Sequence, residues 1–235
     1  MPPPKLTLVL PAHNEAGVIG DSVRRVDAYL KSLDIDYRIV VGDSASTDGT
    51  GDVVQAVGLA SVHVIHNATP GKGAMIDRCF QESEGEVLGF IDADLEIDVS
   101  YVGPMLAAID DGADAVIASK SLDPSLNRDR PLSRRLNTWL YNGIVRFLFK
   151  TRFRDHQAGL KLFRAGPLRA ALPNVSATAW LWDTELLVTL LRDGCRIDEW
   201  PIQVTPRDDS RFVATGNAAG LLKELVALYR RKRRR

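Results

Sequence analysis

Short apolar runs alternate with longer segments of helical period along the first half of the chain. Leu6-Thr7-Leu8-Val9-Leu10 is a short apolar run ended by Pro11, the pattern of a strand buried on both faces. Over 16–33, Val18, Ile19, Val23, Val26, Leu30 and Leu33 fall at helical spacing, with Asp21 and Arg24 between them. Tyr37 to Val41 predicts a second strand, stopped by Gly42-Asp43-Ser44. Thr47-Asp48-Gly49-Thr50 then predicts a turn into a helix reaching Val57. A third strand over 62–65 and a third helix over 72–83 follow. The fourth strand, Val87 to Ile91, runs straight into Asp92-Ala93-Asp94. Strand and helix in strict alternation predict an α/β fold, a mostly parallel sheet flanked by helices. Ligands of such sheets sit at the carboxyl ends of the strands. Asn14-Glu15, Asp43 and Asp92/Asp94 all fall there.

The rhythm changes after residue 118. Residues 120–154 carry nine basic side chains against the two acids Asp123 and Asp129, together with Trp139, Tyr141, Phe147, Phe149 and Phe153. The spacing predicts a helix over 132–149, basic at its start and aromatic later. Such a basic amphipathic helix is a membrane-surface signal.

Composition narrows the picture. The 235 residues are 45% apolar and 26% charged, which excludes a disordered or fibrous chain. Two cysteines, Cys79 and Cys195, are too few for a disulfide framework and lack metal-ligand spacing, so a reducing compartment is expected. The formal charge is zero, yet six of the 30 basic residues are Arg230 to Arg235, which leaves an acidic body and a basic tail. No apolar stretch approaches the roughly 20 residues of a membrane helix, and Met1-Pro2-Pro3-Pro4 is not the start of a signal sequence. The expected units are a catalytic domain over 1–215 and a C-terminal helix with its tail over 216–235.

The run Asp92-Ala93-Asp94-Leu95-Glu96-Ile97-Asp98 sets carboxylates at alternate positions where a strand leaves the sheet. Read alone, it fits a solvated loop capping the next helix as well as a cation site. Its place at the end of an apolar strand, with a basic region to follow, favours the cation. Mg²⁺ takes one or two carboxylates plus phosphate oxygens and waters, and such an ion screens a diphosphate leaving group.

With these segments in view the chain resembles a family 2 glycosyltransferase of the GT-A fold, within the polyprenyl-phosphate (dolichol-phosphate) hexosyltransferases. The matching pieces are Pro11-Ala12-His13-Asn14-Glu15, Asp43 to Thr50, Gly71-Lys72-Gly73, Asp92 to Glu96, Pro131 to Arg134, Asp155 to Phe163, Trp182 to Leu187 and Glu199 to Ile202. They occur in the family's order over roughly residues 5–215. The resemblance implies that Pro11, Asn14, Glu15 and Asp43 form the nucleotide-sugar pocket, while Asp48 caps the following helix. It implies that Asp92, Asp94 and Glu96 hold Mg²⁺ or Mn²⁺. Lys72 reads as a phosphate contact or as a plain surface lysine. Arg207, with Ser210 and Arg211 on its loop, resembles the basic contact to the donor diphosphate or an ordinary charged loop. Lys120, Arg134 and Thr138 would hold the acceptor phosphate, although a lysine at 120 lacks the two-pronged grip of an arginine.

The reaction implied moves a hexose from GDP-mannose or UDP-glucose to a polyprenyl phosphate, with inversion. A phosphate monoester is already an anion near neutral pH and needs no strong base. Catalysis would then rest on alignment and charge neutralisation, with Asp94, Lys120 and Arg134 at the reacting groups. A rival in the same family would glycosylate a sugar hydroxyl, and there Asp183 is the candidate base, the alternative being that it organises the acceptor loop. A nucleic-acid binder is disfavoured by the acidic body. A nucleotidyltransferase would open with a Gly-rich loop where this chain has Pro-Ala-His-Asn-Glu. The expected setting is peripheral, at the cytoplasmic face of a membrane, through the 132–149 helix and the basic tail.

Overall fold

In the computed structural model, which describes residues 2–128, 131–205 and 218–233, Leu6–Ala12 forms β1, and all of it except Pro11 is buried. β2 (Tyr37–Ser44) and β4 (Val87–Ile91) pair with it on either side, both parallel, and β3 (Val62–Asn67) extends the sheet beyond β2. Alternation along β1 divides the core. Leu6, Leu8, Leu10 and Ala12 meet α1 (Ile19–Ser32), α2 (Thr50–Val57) and α4 (Val102–Asp110), whereas Val9 faces α3 (Lys72–Glu82). Helices on both faces are what a strand buried on both faces requires.

The second half departs from strict alternation. β5 (Ala115–Ser119) ends at the carboxyl edge of the sheet. The chain then stays at that edge through α5 (Leu132–Phe149) and re-enters the sheet as β6 (Leu160–Arg164), between β4 and β5 and antiparallel to both. No crossover returns the chain to the far edge, so β6 has to run the other way. β7 (Ile197–Pro201) then pairs parallel with β5, and the final order is β3-β2-β1-β4-β6-β5-β7. The sheet is therefore mostly parallel, with one inserted strand.

α6 (Ala165–Ala171) and α7 (Trp182–Arg192) complete the second face. Trp182 packs beneath Phe80 and Phe90, ring centroids 6.2 and 6.3 Å away. α8 (Ala218–Arg233) closes a third cluster, in which its Leu225 and Leu228 meet Tyr141, Val145 and Phe149 of α5 and Val188 of α7. The helix in the C-terminal 216–235 segment is thus packed on the catalytic half. Among the described residues no helix is long and apolar enough to cross a membrane.

Candidate active site

The carboxyl ends of β1, β2 and β4 meet the start of α3, and backbone-directed side chains stitch them together. Asn14, at φ 55, donates its backbone N–H to Ser46 Oγ (2.9 Å) and accepts from Thr47 N–H at Oδ1 (2.8 Å). His13 Nδ1 donates to the Ser44 carbonyl at 2.5 Å. Asp43 is buried; Oδ1 accepts from Ser46 N–H (3.1 Å) and Oδ2 lies 3.0 Å from His66 Nδ1. Ser44 Oγ accepts from Gly71 N–H at 3.0 Å, which ties this rim to Gly71-Lys72-Gly73. Pro11, Asn14 and Glu15 line the same rim, half-buried. Asp48 has the structural role expected of it: its Oδ1 accepts from Thr50 N–H (3.0 Å) and its Oδ2 from Ala16 N–H (3.0 Å).

From Ile91 to Val99 the chain alternates strictly. Ile91, Ala93, Leu95, Ile97 and Val99 are buried, while Asp92, Asp94 and Glu96 are half-buried and Asp98 exposed on the other side. Leu95 adopts φ 50, a costly conformation for a branched residue, and its side chain stays in the core. Among the described residues no group of three His, Cys, Asp or Glu side chains is gathered as an ion site. Asp92 and Asp94 still suit a cation that shares its shell with phosphate oxygens. Burial and then the neighbouring Asp92, with a further push from Glu96, drive the Asp94 carboxyl up to about 6, a repulsion a cation would relieve. Asp92 Oδ1 is buried and lies 2.5 Å from the Lys72 ammonium. Gly159 lies so close that a Cβ at that position would displace the Asp92 carboxylate.

Three ammonium–carboxylate pairs stand in a row behind this edge: Lys72–Asp92 at 2.5 Å, Lys161–Asp183 at 2.7 Å and Lys120–Asp155 at 2.9 Å. Desolvation lowers the Lys72 pKa, but Asp92, Asp183 and Asp94 outweigh it and hold the ammonium above its ordinary value. Lys161 is fully buried. Its register opposite Phe90 on β4 and Ile117 on β5 sets it in an otherwise apolar row, with Nζ 5.1 Å from the Phe90 ring centre. It donates to Asp183 Oδ1 and to the Ala158 carbonyl, each at 2.7 Å, and burial pulls its pKa down. Asp183, offered by the sequence as a base, is thus committed to an ion pair. Lys161 and His66 were not singled out by the sequence; the signal for Lys161 is a lone charge inside Leu160-Lys161-Leu162-Phe163.

α5 is fixed beside these pairs. Tyr141 Oη and Thr184 Oγ1 share a 2.6 Å hydrogen bond, and Gln157 Nε2 donates to both. Asn142 donates to the Thr138 carbonyl, which turns its Oδ1 toward His156; that oxygen accepts from the His156 backbone N–H (3.0 Å) and Nδ1 (2.6 Å). Arg134 and Thr138 lie on the same stripe as Tyr141, Asn142 and Val145. The opposite face exposes Leu132, Leu136, Trp139, Leu140 and Phe147. Arg207, Ser210 and Arg211 lie outside the described residues.

The His156 imidazole is buried and neutral. Burial pushes it down to about 4, with Asp155 opposing and Lys161 and Arg146 assisting. Because this value lies below the ordinary 6.5, the unfolded chain binds a proton first as pH falls. Stability is therefore complete above pH 6.5 and declines by about 3 kcal/mol on the way to pH 4. Urea midpoints across that range are expected to show the decline, and His156→Gln to remove that part of it.

The profile of glycosyl transferase family 2 matches residues 7–171. The chain belongs to that family. This family 2 chain is 29% identical over 231 residues to Glycosyltransferase AglD of Haloferax volcanii, covering 96% of itself but only 37% of that protein. It is 24% identical over 245 residues to a dolichyl-phosphate beta-glucosyltransferase of Saccharomyces cerevisiae, covering 95% and 73% of the two chains. With an undecaprenyl-phosphate mannosyltransferase of Micrococcus luteus the identity is 27% over 223 residues, covering 92% and 90%. Among solved structures it is similar to glucosyl-3-phosphoglycerate synthase of Mycobacterium tuberculosis in complex with Mn²⁺, UDP and glucosyl-3-phosphoglycerate. The TM-score is 0.65 at 20% identity, over 97% of this chain and 76% of that one. The fold is GT-A, as the sequence implied.

Proposed function

We propose that this family 2 glycosyltransferase moves a hexose from a nucleotide sugar, GDP-mannose or UDP-glucose, to the phosphate of a polyprenyl lipid, with inversion, at the cytoplasmic face of a membrane. The observation that carries this reading is α5. Its protein-facing stripe bears Arg134 and Thr138, two turns and one turn before the Asn142 that holds His156 next to the Lys120–Asp155 pair, and its other face presents Leu132, Leu136, Trp139, Leu140 and Phe147 to the surroundings. A phosphate seated at the first face would have its lipid tail at the second. The yeast and Micrococcus relatives, named for dolichyl- and undecaprenyl-phosphate acceptors, support the same class.

Asp43, Glu15 and Asn14 would receive the nucleoside, and Lys72 and Arg207 the diphosphate. Asp92 and Asp94 would hold Mg²⁺ or Mn²⁺, which supplies charge for the departing diphosphate. Lys120, Arg134 and Thr138 would orient an acceptor that is already a nucleophile. The commitment of Asp183 to Lys161 suits that assignment, since a hydroxyl acceptor would call for an unengaged base.

The test is transfer of label from each donor to a short polyprenyl phosphate, with Mg²⁺ or Mn²⁺. Label in the lipid phase from one donor is expected; none from either, with nucleotide still bound, would sink the phosphate-acceptor reading. Each aromatic side chain withdrawn from water is worth about 2 kcal/mol. Trp139→Ser with Phe147→Ser is therefore expected to weaken flotation with anionic vesicles at least about tenfold, while transfer to a water-soluble short-chain acceptor persists.

A further inference from the structure

The basic end of α8 is turned inward as well as outward. Lys232 is buried, and its Nζ donates to the Asn174 carbonyl (2.7 Å) and Thr189 Oγ1 (2.8 Å) while lying 3.2 Å from Glu185 Oε1. Arg231 reaches the other oxygen of the same carboxylate at 3.2 Å, and Arg192 donates to the Lys232 carbonyl. Of the basic run expected to face a membrane, these two side chains are therefore engaged within the protein. Glu185 is itself buried, and its Oε2 accepts the consecutive amides of Ser176 (3.0 Å) and Ala177 (2.8 Å).

The next residue, Thr178, accepts through its carbonyl from Ala74 N–H at 2.8 Å. Ala74 stands directly after Gly71-Lys72-Gly73, and Gly73 is pressed so closely on Trp182 that a Cβ would collide with it. Lys72 in turn meets Asp92. Leu225 and Leu228 would dock α8 without any charge, and a buried ion pair is poor evidence for stability as such. What the cations add is direction, because they fix the Glu185 carboxylate where it can hold two successive amides.

We propose that the C-terminal helix is a positioning element of the donor site. Through Glu185, Lys232 and Arg231 fix the 176–178 segment, and that segment fixes Lys72. Its consequence for the donor rests on the reading given above, whereas the coupling itself does not.

The test uses the full chain and hydrogen exchange. Lys232→Met is expected to speed exchange about tenfold in the 174–178 and 71–78 segments, by loss of charged hydrogen bonds, and to leave α1 unchanged. Arg231→Met, at a half-exposed position, is expected to give the same pattern at about threefold and remains usable if the first variant does not fold. Faster exchange confined to 174–178 and α8, or raised equally in α1, would overturn the proposal. In a second arm, UDP and GDP affinities are measured with Mn²⁺. Lys232→Met is expected to weaken whichever nucleotide binds about tenfold, with no further loss in a Lys72→Ala background. Additive losses would overturn the coupling to Lys72. Should the unaltered chain bind neither nucleotide while the exchange pattern holds, the donor reading fails and the positioning role stands.

Discussion

Asp94→Ala is expected to lower sugar transfer by about a thousandfold while leaving the fold intact. The functional size follows from the several kcal/mol a cation contributes to a leaving group that gains charge. The stability side follows from the local geometry. Among the described residues the Asp94 carboxylate accepts one hydrogen bond, from Glu96 N–H at 3.1 Å, within its own turn. Its carboxyl is pushed up to about 6 by burial and by Asp92 and Glu96, so its removal relieves repulsion. The thermal midpoint should therefore stay level or rise slightly while activity falls. Asp92→Ala should behave differently, because it strands the Lys72 ammonium. Mn²⁺-dependent turnover of both variants, set beside their melting curves, separates the two roles. If Asp94→Ala kept metal-dependent transfer within tenfold of the parent chain, the ion would have to be held elsewhere.

The first four strands and α5 were legible because their signals are local. A short, mostly apolar run and a stripe at helical spacing each depend on neighbours in sequence, although β1 and β2 continue through Pro11 and Gly42, where the sequence set their ends. The Asp92–Asp98 alternation was legible for the same reason, and the structure keeps it. The left-handed φ of Leu95, which turns the chain between Asp94 and Glu96, is encoded by no periodicity. Lys161 and Asp183 are 22 residues apart, and they meet because β6 is inserted antiparallel beside Phe90 while α7 crosses that face. Strand order is a property of the whole chain, so an acid that looks available in sequence was already engaged. For Arg231 and Lys232, partners distant in sequence, above all Glu185 on α7, are not announced by a block of charge.

Lys161→Met is expected to carry the largest cost in stability. The substitution keeps a long flexible chain in the apolar row beside Phe90 and Ile117, so little packing is lost. What remains is the Asp183 carboxylate, almost wholly buried and without its counter-ion, together with the Ala158 carbonyl without its donor. Breaking one side of a buried pair costs about 3–5 kcal/mol, which in a chain of this size lowers the thermal midpoint by about 10 °C. Adding Asp183→Leu removes the stranded charge, and the double variant should recover most of the loss, since apolar replacement of a whole buried pair is often neutral. Activity should not recover with it. Asp183 also helps to hold the Lys72 ammonium charged, so the double variant is expected to melt near the parent chain yet bind nucleotide diphosphate less tightly. A single variant as stable as the parent would contradict the ion pair. A double variant with full nucleotide affinity would instead confine the pair to folding.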